Sequence, residues 1–262
     1  MKHSILILGG TAEARVLAGR LADDTRFATE LSLAGRTKAP AEQPVPVRVG
    51  GFGGVEGLAR YLKKKAISLL IDATHPYAAQ MSRNAAEAAR AAGVPLLALR
   101  RRPWVRQEGD RWTEVDNVAE AVTAVGPYPR NVFLTLGRQE LLPFEAAPHH
   151  HYLIRSVDPV FPPLEVPHAI YLTARGPFAE ADESRLLQEY GIEVIVAKNS
   201  GGPASYGKIA AARALGIEVV LISRPALPEV HSAETVDDLL VMLDLELDDW
   251  LHHESPLKER GE

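Results

Sequence analysis

Two stretches of this chain decide its fold: residues 74–101, THPYAAQMSRNAAEAARAAGVPLLALRR, and residues 197–224, AKNSGGPASYGKIAAARALGIEVVLISR. Each runs from a polar loop through an alanine-rich helix and a glycine into an apolar strand that ends in arginine. They align without a gap, because His75 and Lys198 are 123 residues apart, as are Gly93 and Gly216. Loops at the carboxyl ends of parallel strands are where α/β sheets bind ligands. The repeat therefore predicts an α/β protein of two Rossmann-like parallel-sheet units that face one cleft.

The element pattern agrees with two units of ordinary domain size. A chain of 262 residues with 46% hydrophobic content can fill two cores. Strand-like and helical patterns alternate throughout, which indicates parallel sheets. The turn-rich sequence Gly126-Pro127-Tyr128-Pro129 marks the boundary. We therefore place an N-terminal cofactor-binding unit at residues 1–126, a C-terminal substrate and cofactor unit at 127–251, and a charged, frayed tail at 252–262.

Composition excludes several classes of protein. The absence of cysteine removes disulfides, thiolate zinc sites and iron–sulfur clusters, and favours a cytoplasmic location. The N-terminal apolar run is too short for a signal peptide or a membrane span. A net charge of −5 without a basic stripe argues against nucleic acid as a partner. The histidine run at 149–151 is contiguous, so its rings cannot share a helix face, and we expect a solvated loop and no metal.

The segment ILILGGTAEAR, residues 5–15, has the pattern of a strand, a tight glycine turn and a helix. Small residues in such a turn let backbone amides at the helix N-terminus approach a phosphate. We therefore assign Gly9, Gly10, Thr11 and Glu13 to cofactor binding. Because the segment lacks the full GxGxxG fingerprint, a plain turn with Thr11 as the helix cap is the alternative.

The ends of the second and third strands bear on the choice of cofactor. The second strand ends in Ala34-Gly35-Arg36-Thr37, with an arginine and a hydroxyl where an NAD-binding fold places an acid. Arg36 and Thr37 therefore favour NADPH over NADH, and a solvated arginine is the alternative. The glycines of VRVGGFGGVEGL, residues 47–58, either contact a ligand through backbone, with Gly51 assigned to the cofactor, or merely turn the chain.

The repeat places two polar loops at equivalent positions. The loop DATHPY, residues 72–77, carries a lone histidine, and such a residue is more often structural than catalytic. The loop AKNSGG, residues 197–202, offers an ammonium, side-chain donors and backbone amides to a phosphate or carboxylate, with a helix-capping loop as the alternative. The cofactor residues assigned from these loops are Thr74, His75, Pro76, Lys198, Asn199, Ser200 and Gly201.

Three arginines end strands of the predicted second unit. Arg138, Arg155 and Arg175 each follow an apolar run. Three guanidinium groups at strand ends suit a substrate with several carboxylates, although each alone is compatible with a structural salt bridge. We assign these arginines, together with Tyr77, to substrate binding.

Seven motifs occur in a set order: ILGGTAEAR, AGRT with VRVGGFGG, IDATHPYA, FLTLGRQEL, YLIRSVDP, ARGPF and AKNSGG. Together they resemble the precorrin-6A reductase family, including its cobalt-precorrin counterpart, over residues 5–225. The resemblance implies two Rossmann-like units with NADPH between them. It also implies reduction of a double bond in precorrin-6A to give precorrin-6B, on the route to cobalamin. The extra arginine in the run 100–102 departs from the family pattern and is expected to alter only the rim of the cleft.

Reduction of a double bond needs a hydride and a proton, and the sequence offers several proton donors. Lys198, His75 and Ser200 are the candidate catalytic residues, because their loops are expected to converge. Lys198 equally suits a cofactor phosphate or a substrate carboxylate. Two other functions remain open: a non-catalytic NADP-sensing two-domain protein, and a two-domain nucleotide-sugar transferase. Tight NADP binding without turnover would indicate the first, and preference for a nucleotide sugar the second. No pattern in the sequence specifies an oligomeric state.

Overall fold

Strands and helices alternate along the chain. The structure is a computed structural model that describes residues 2–35 and 41–253. The strands are β1 His3–Leu8, β2 Phe27–Leu33, β3 Val47–Val49, β4 Leu69–Asp72, β5 Leu96–Leu99, β6 Arg111–Val115, β7 Asn131–Leu134, β8 His151–Ser156, β9 Ala169–Thr173, β10 Val194–Lys198, β11 Glu218–Ile222 and β12 Ser232–Ala233. The α-helices are α1 Ala12–Ala22, α2 Gly54–Lys64, α3 Ala79–Ala92, α4 Val118–Val125, α5 Glu180–Glu189, α6 Gly207–Leu215 and α7 Val236–His253. Two short 3₁₀ helices, Arg138–Glu140 and Leu142–Ala146, follow β7.

The strands form two six-stranded parallel sheets. The first has the order β12-β5-β4-β1-β2-β3, and the second has the order β6-β11-β10-β7-β8-β9. In the first sheet the chain begins near the middle with β1, winds outward to β3 at one edge, and returns to build the other half. The second sheet follows the same path from β7 to β11, but the chain first forms its edge strand β6. The switch point therefore lies between β1 and β4 in one sheet and between β7 and β10 in the other. The predicted α/β fold with two parallel-sheet units is confirmed.

Both faces of the first sheet are covered by helices, which explains its continuous apolar strands. Ile5 and Ile7 of β1 pack in a cluster with residues of α1 and α7. The alternate residues Leu6 and Leu8 pack in a second cluster with residues of α2 and α3. Alternation across a strand therefore supplies both cores, and each fully buried leucine or isoleucine contributes about 1.5–3 kcal/mol. Within the described ranges, no helix combines the length and apolar character needed to cross a membrane.

The two repeated stretches have the same local structure. The first forms the loop after β4, then α3 and β5, and the second forms the loop after β10, then α6 and β11. Gly93 ends α3 with φ of +70°, and Gly216 ends α6 with φ of +68°. In both caps the glycine amide donates to carbonyls of the last helical turn. Glycine is favoured at both positions because it adopts this left-handed conformation without a steric penalty.

The chain divides into two units whose bounds differ from the predicted domains. Unit 1 comprises residues 1–101 and the C-terminal residues from 226, whereas unit 2 comprises residues 102–225. The predicted boundary at Gly126 is corrected, because β6 pairs with β11 and thus belongs to unit 2, whereas β12 pairs with β5 of unit 1. Of the predicted tail, residues 252 and 253 belong to α7 and residues 254–262 lie outside the described residues.

Candidate functional site

The glycine turn after β1 lies at the switch point of unit 1. Thr11 caps α1, since its Oγ1 accepts a hydrogen bond from the Ala14 amide at 3.1 Å. The same hydroxyl donates to the Ala73 carbonyl at 2.9 Å, which ties the turn to the end of β4. Gly10 has φ of +117°, a conformation that other residues rarely adopt. The structure therefore brings Gly9, Gly10 and Thr11 together with the end of β4, at the edge where doubly wound sheets bind ligands.

Glu13, in the first turn of α1, forms an ion pair with Arg101. Its Oε2 lies 2.6 Å from Nη1 of Arg101, and neither side chain is more than 25% exposed. The pair joins α1 to the segment that follows β5. Because the carboxylate is balanced by a cation, Glu13 adds little repulsion toward an anion bound at the helix N-terminus.

The loop after β4 is built around the buried carboxylate of Asp72. The amide and the hydroxyl of Thr74 both donate to Oδ1 of Asp72, at 3.1 and 2.6 Å. Further along, Nδ1 of His75 accepts from the Tyr77 amide at 3.3 Å, and the two rings lie 5.6 Å apart. An accepting Nδ1 is unprotonated, so the neutral imidazole carries its proton on Nε2. His75 therefore offers an N–H donor just beyond the carboxyl end of β4.

Arg100 is a cation of unit 1 that sequence reasoning did not assign. It follows β5, and its amide donates to the Ala233 carbonyl of β12 at 2.8 Å. Its Nε is buried and has no hydrogen-bond partner among the residues that the structure describes. Burial lowers the pKa of Arg100, and the negative charge of Asp72 opposes that shift. The arginine run at 100–102 was the sequence signal for this cation.

The ends of β2 and β3 carry the remaining cofactor predictions. Arg36 and Thr37 lie outside the described residues, so their role stays a prediction from sequence. After β3, the Arg48 guanidinium donates to the Gly51 carbonyl at 2.7 Å and lies 3.8 Å from the centre of the Phe52 ring. Arg48 therefore fixes the glycine-rich loop that contains Gly51, a role that the glycines alone did not indicate.

Lys198, at the end of β10, forms an ion pair with Glu140. Glu140 lies in the 3₁₀ helix after β7, and β7 is the neighbour of β10, so the pair spans the switch point of unit 2. Glu140 also accepts a hydrogen bond from the Gly137 amide at 3.1 Å. Sequence reasoning missed Glu140, whose pairing depends on the sheet order. The arrangement holds an ammonium where it can bind an anion or hold a proton.

The β10–α6 loop, residues 199–206, is fixed by side chains of unit 2. The Asn199 side chain exchanges two hydrogen bonds with the backbone of Trp104, at 2.7 and 3.0 Å. Arg224 donates to the carbonyls of Asn199 and Ser200, at 2.8 and 2.9 Å. Gly201 has φ of +67°, and a Cβ there would overlap a neighbouring carbonyl oxygen. The loop shape therefore requires glycine at position 201.

The three arginines assigned to substrate binding have different surroundings. Arg155 is buried at the end of β8, and both of its Nη atoms donate to the carboxylate of Glu183. The assignment of Arg155 is therefore corrected, because its guanidinium is committed to a buried ion pair. Arg138 is partly exposed, with its Nη2 3.7 Å from a carboxylate oxygen of Asp158. Arg175 is exposed beyond the end of β9.

The histidine run at 149–151 differs from the expected solvated loop. His150 is fully buried, and its ring lies 5.9 Å from that of Tyr152. Burial is the main cause that lowers the pKa of His150. The prediction of a solvated loop is therefore wrong for His150. Across the part of the chain that the structure describes, no group of three His, Cys, Asp or Glu side chains is arranged to hold a metal ion.

A doubly wound parallel sheet with a capped glycine turn at its switch point defines the class of Rossmann-like α/β proteins, in which that edge binds a nucleotide cofactor. Comparison with known proteins narrows the class. The family model Precorrin-6x reductase CbiJ/CobK matches residues 4–244, and the chain belongs to this family. The resemblance drawn from the seven motifs is confirmed.

Individual relatives agree with the family assignment. The precorrin-6A reductase of Sinorhizobium sp is 59% identical over 239 residues, which cover 91% of this chain and 92% of that protein. A solved structure described as CobK precorrin-6A reductase is 49% identical, with a TM-score of 0.89, and covers 92% of this chain and 96% of its own. The cobalt-precorrin-6A reductase of Priestia megaterium is 26% identical over 232 residues, 84% of this chain and 90% of that protein.

Proposed function

We propose that this protein catalyses the NADPH-dependent reduction of a macrocycle double bond in precorrin-6A, giving precorrin-6B in cobalamin biosynthesis. Membership of the precorrin-6A reductase family implies an oxidoreductase that acts on a CH–CH bond of a tetrapyrrole with a nicotinamide cofactor. The observation that carries the proposal is the glycine turn at the switch point of unit 1, which Thr11 ties to the end of β4.

The residues of unit 1 fit a dinucleotide. The first amides of α1 have no partner inside the helix, and the dipole of the helix favours an anion there. Apart from Gly10 and its two chain neighbours, no atom of the described residues lies within 4 Å of the position that a Cβ on Gly10 would take, so this part of the turn leaves room for a ligand. Gly9, Gly10 and Thr11 are assigned to the pyrophosphate, and Thr74, His75 and Pro76 to the nicotinamide half. When bound, NADPH supplies the hydride.

The choice of NADPH over NADH rests on Arg36 and Thr37. A guanidinium pairs with a phosphate through two parallel hydrogen bonds, and a hydroxyl adds a third donor. NADH lacks the 2′-phosphate that these groups would bind. This part of the proposal is drawn from the sequence.

We assign two side chains as the main candidates to donate the proton that the second ring carbon receives. His75 carries an N–H on Nε2 because its Nδ1 accepts from Tyr77. Lys198 carries an ammonium held by Glu140 at the switch point of unit 2. Ser200 is the weaker candidate, because it is buried and its Oγ lies 3.3 Å from that of Ser205.

The carboxylates of the tetrapyrrole require cations. Arg138 and Arg175 remain assigned to them, with Tyr77, because both guanidinium groups are at least partly exposed at strand ends. Arg100 joins them, since its buried Nε has no hydrogen-bond partner among the described residues. We propose the metal-free macrocycle as substrate, because identity is 59% to the precorrin-6A reductase and 26% to the cobalt-precorrin relative.

The direct test mixes purified protein with NADPH and precorrin-6A and follows absorbance of the cofactor and the macrocycle. We expect NADPH oxidation in step with reduction of the macrocycle, and slower turnover of cobalt-precorrin-6A. Absence of turnover with both substrates would contradict the proposed function.

Cofactor choice is tested with Arg36→Ala, and Arg60→Ala on α2 is the exposed control. Loss of a charge-assisted hydrogen bond costs about 1.5–3 kcal/mol, so the NADPH dissociation constant should rise about tenfold or more. The NADH dissociation constant should not change. Equal losses for both cofactors would remove Arg36 from the 2′-phosphate role.

A further inference from the structure

Lys208 lies in the first turn of α6 and is only 5% exposed. This position is unfavourable for a lysine in two ways, since ammonium groups are strongly hydrated and a helix N-terminus repels cations. Its Nζ donates to the Ser205 carbonyl at 2.8 Å and lies 5.2 Å from the centre of the Trp104 ring. The side chain therefore reaches back from the helix to the β10–α6 loop that precedes it.

Lys208 is one of three side chains that bind carbonyl groups of the β10–α6 loop. The bonds are Arg224 to the Asn199 and Ser200 carbonyls at 2.8 and 2.9 Å, Trp104 Nε1 to the Gly202 carbonyl at 2.9 Å, and Lys208 to the Ser205 carbonyl at 2.8 Å. All of these donors belong to unit 2. Both ends and the middle of the loop are thus fixed through its acceptors.

Two adjacent amide donors of the same loop, those of Gly201 and Gly202, differ from the amides of Asn199, Ser200 and Tyr206, which donate to backbone carbonyls. The amides of Gly201 and Gly202 donate no hydrogen bond to any described residue. Both glycines have positive φ, +67° and +75°. Adjacent backbone amides in turns of this kind form concave sites that bind anionic oxygen atoms. A loop that is fixed through its carbonyls and leaves the two adjacent amides of Gly201 and Gly202 unbonded within the described residues is suited to an anion.

We propose that Lys208 is a positioning residue: its buried ammonium holds the Ser205 end of the β10–α6 loop, so that the Gly201 and Gly202 amides are set to receive an anionic oxygen. The anion is a phosphate of the cofactor or a carboxylate of the tetrapyrrole, and for these two identities the inference rests on the proposed function. Lys208 itself contacts neither ligand, because its Nζ is directed to Ser205 and Trp104.

The charge of Lys208 should make the order of the β10–α6 loop depend on pH. Burial, together with the positive charge of Arg155 and against the opposing charge of Glu183, lowers the pKa of Lys208 to about 7. The ammonium is therefore lost as pH rises through neutrality, which weakens the bond to the Ser205 carbonyl. An arginine at this position keeps its charge at every pH of interest. Loop order should depend on pH in the wild type and not in Lys208→Arg.

The experiment compares the full-length wild type with Lys208→Met, Lys208→Arg and Lys64→Met, the last an exposed lysine of α2 as control. Hydrogen exchange of residues 199–206 reports loop order without any ligand. NADPH dissociation constants, measured by fluorescence between pH 6 and 8.5, and the KM for precorrin-6A distinguish the two sources of the anion. We also measure kcat and the thermal midpoint of each variant, which report the chemical step and the overall stability.

We expect Lys208→Met to exchange faster in the β10–α6 loop and to raise the NADPH dissociation constant or the substrate KM about tenfold. We expect kcat at saturation to change less than twofold in Lys208→Met. We expect Lys208→Arg to bind as tightly as the wild type and to show no loss of affinity above neutral pH.

A folded Lys208→Met with unchanged loop exchange overturns the inference, as does faster exchange spread evenly over unit 2. If Lys208→Met does not fold, identical pH profiles for the wild type and Lys208→Arg overturn it. Faster loop exchange in a protein that neither binds NADPH nor reduces precorrin-6A supports the positioning role and contradicts the proposed function.

Discussion

At the scale of single residues, an arginine at a strand end serves either a ligand or the fold, and its neighbours decide which. Arg155 and Arg138 occupy similar positions in the sequence, each just after an apolar run. The structure buries Arg155 against Glu183 and leaves Arg138 partly exposed. Glu183 comes from α5, an element distant in sequence, so the pairing has no local signal. Only the folded unit distinguishes the two roles.

Arg155→Met is expected to destabilise the protein strongly. It leaves the Glu183 carboxylate buried without its partner, and breaking a buried pair in this way costs about 3–5 kcal/mol. The double variant Arg155→Met/Glu183→Met, which removes both charges, should lose clearly less. Urea unfolding followed by circular dichroism measures the free energy of unfolding of each variant.

The control for this prediction is Arg185→Met, which breaks the exposed pair with Asp182. Its effect should be about 0.5 kcal/mol or less, because exposed pairs contribute little. An Arg155→Met variant of unchanged stability, with only a raised KM for precorrin-6A, would return Arg155 to substrate binding.

His150 gives a prediction about acid sensitivity. Burial holds its folded-state pKa below the ordinary value of 6.5, so the unfolded chain binds the proton more readily. Stability is therefore fully present above pH 6.5 and falls as pH decreases toward the folded-state pKa. Thermal midpoints between pH 8 and 5 should fall more for the wild type than for His150→Phe, whereas the exposed control His168→Gln should follow the wild type. Parallel curves for the wild type and His150→Phe would contradict this account.

The candidate site was predictable where its signal is local. The turn formed by Gly9, Gly10 and Thr11 was predicted from sequence because a glycine turn and its helix cap are adjacent in the chain, and its role in cofactor binding stays a prediction. Arg100 and Lys208 were not found, since their significance lies in burial and in partners that are missing or distant. A lysine within an alanine-rich helix resembles a solvated residue until its surroundings are known.

At the scale of elements, the helices and strands were largely predictable, because apolar runs, periodicity and glycine caps are encoded locally. Two exceptions have physical causes. The sequence pattern at 139–145 predicts a helix, but the structure has two short 3₁₀ helices there, and Pro143 near the start of the second supplies no amide donor. The two-residue strand Ser232–Ala233 escaped detection because it is defined only by its pairing with β5.

The two glycine caps of the repeat, at the ends of α3 and α6, should stabilise the protein to a similar extent. Gly93→Ala and Gly216→Ala should each lower the free energy of unfolding by about 1–2 kcal/mol, because both force a side chain into the left-handed region. Asparagine tolerates that region better, so Gly93→Asn and Gly216→Asn should lose less than the alanine variants. Denaturant titration of the four variants provides the comparison. A loss at one glycine only would show that the two caps are not equivalent.

At the scale of the whole molecule, the sequence indicated two units but not their true composition. The motif Gly126-Pro127 resembles a linker, yet it lies inside unit 2. Strand pairing decides which unit a segment belongs to. The edge strand β6 of the second sheet directly follows unit 1 in the chain, and the edge strand β12 of the first sheet is made only after the whole of unit 2. Local sequence patterns do not predict which sheet these two edge strands join, because each pairs with a strand that is distant in sequence.

Fragments test this division. Residues 102–225 contain the complete second sheet and should unfold cooperatively on heating when produced alone. Residues 127–251, the domain predicted from sequence, lack β6 and carry β12 and most of α7 without their partners, so this fragment should be poorly folded. Far-ultraviolet circular dichroism with thermal melting measures both. Equally cooperative melting of the two fragments would contradict the division.

Because β12 and α7 are the last elements to be translated, unit 2 can fold before unit 1 during protein synthesis. When the ribosome has added Pro225, unit 2 is complete, whereas unit 1 still lacks its strand β12 and α7, one of the two helices that pack with Ile5 and Ile7. Domains usually mature in the order in which they are translated. Here unit 2 has all of its strands first, and the face of β1 that carries Ile5 and Ile7 packs against only one helix, α1, until α7 is made. We therefore expect unit 1 to need protection from aggregation for longer than unit 2 during synthesis.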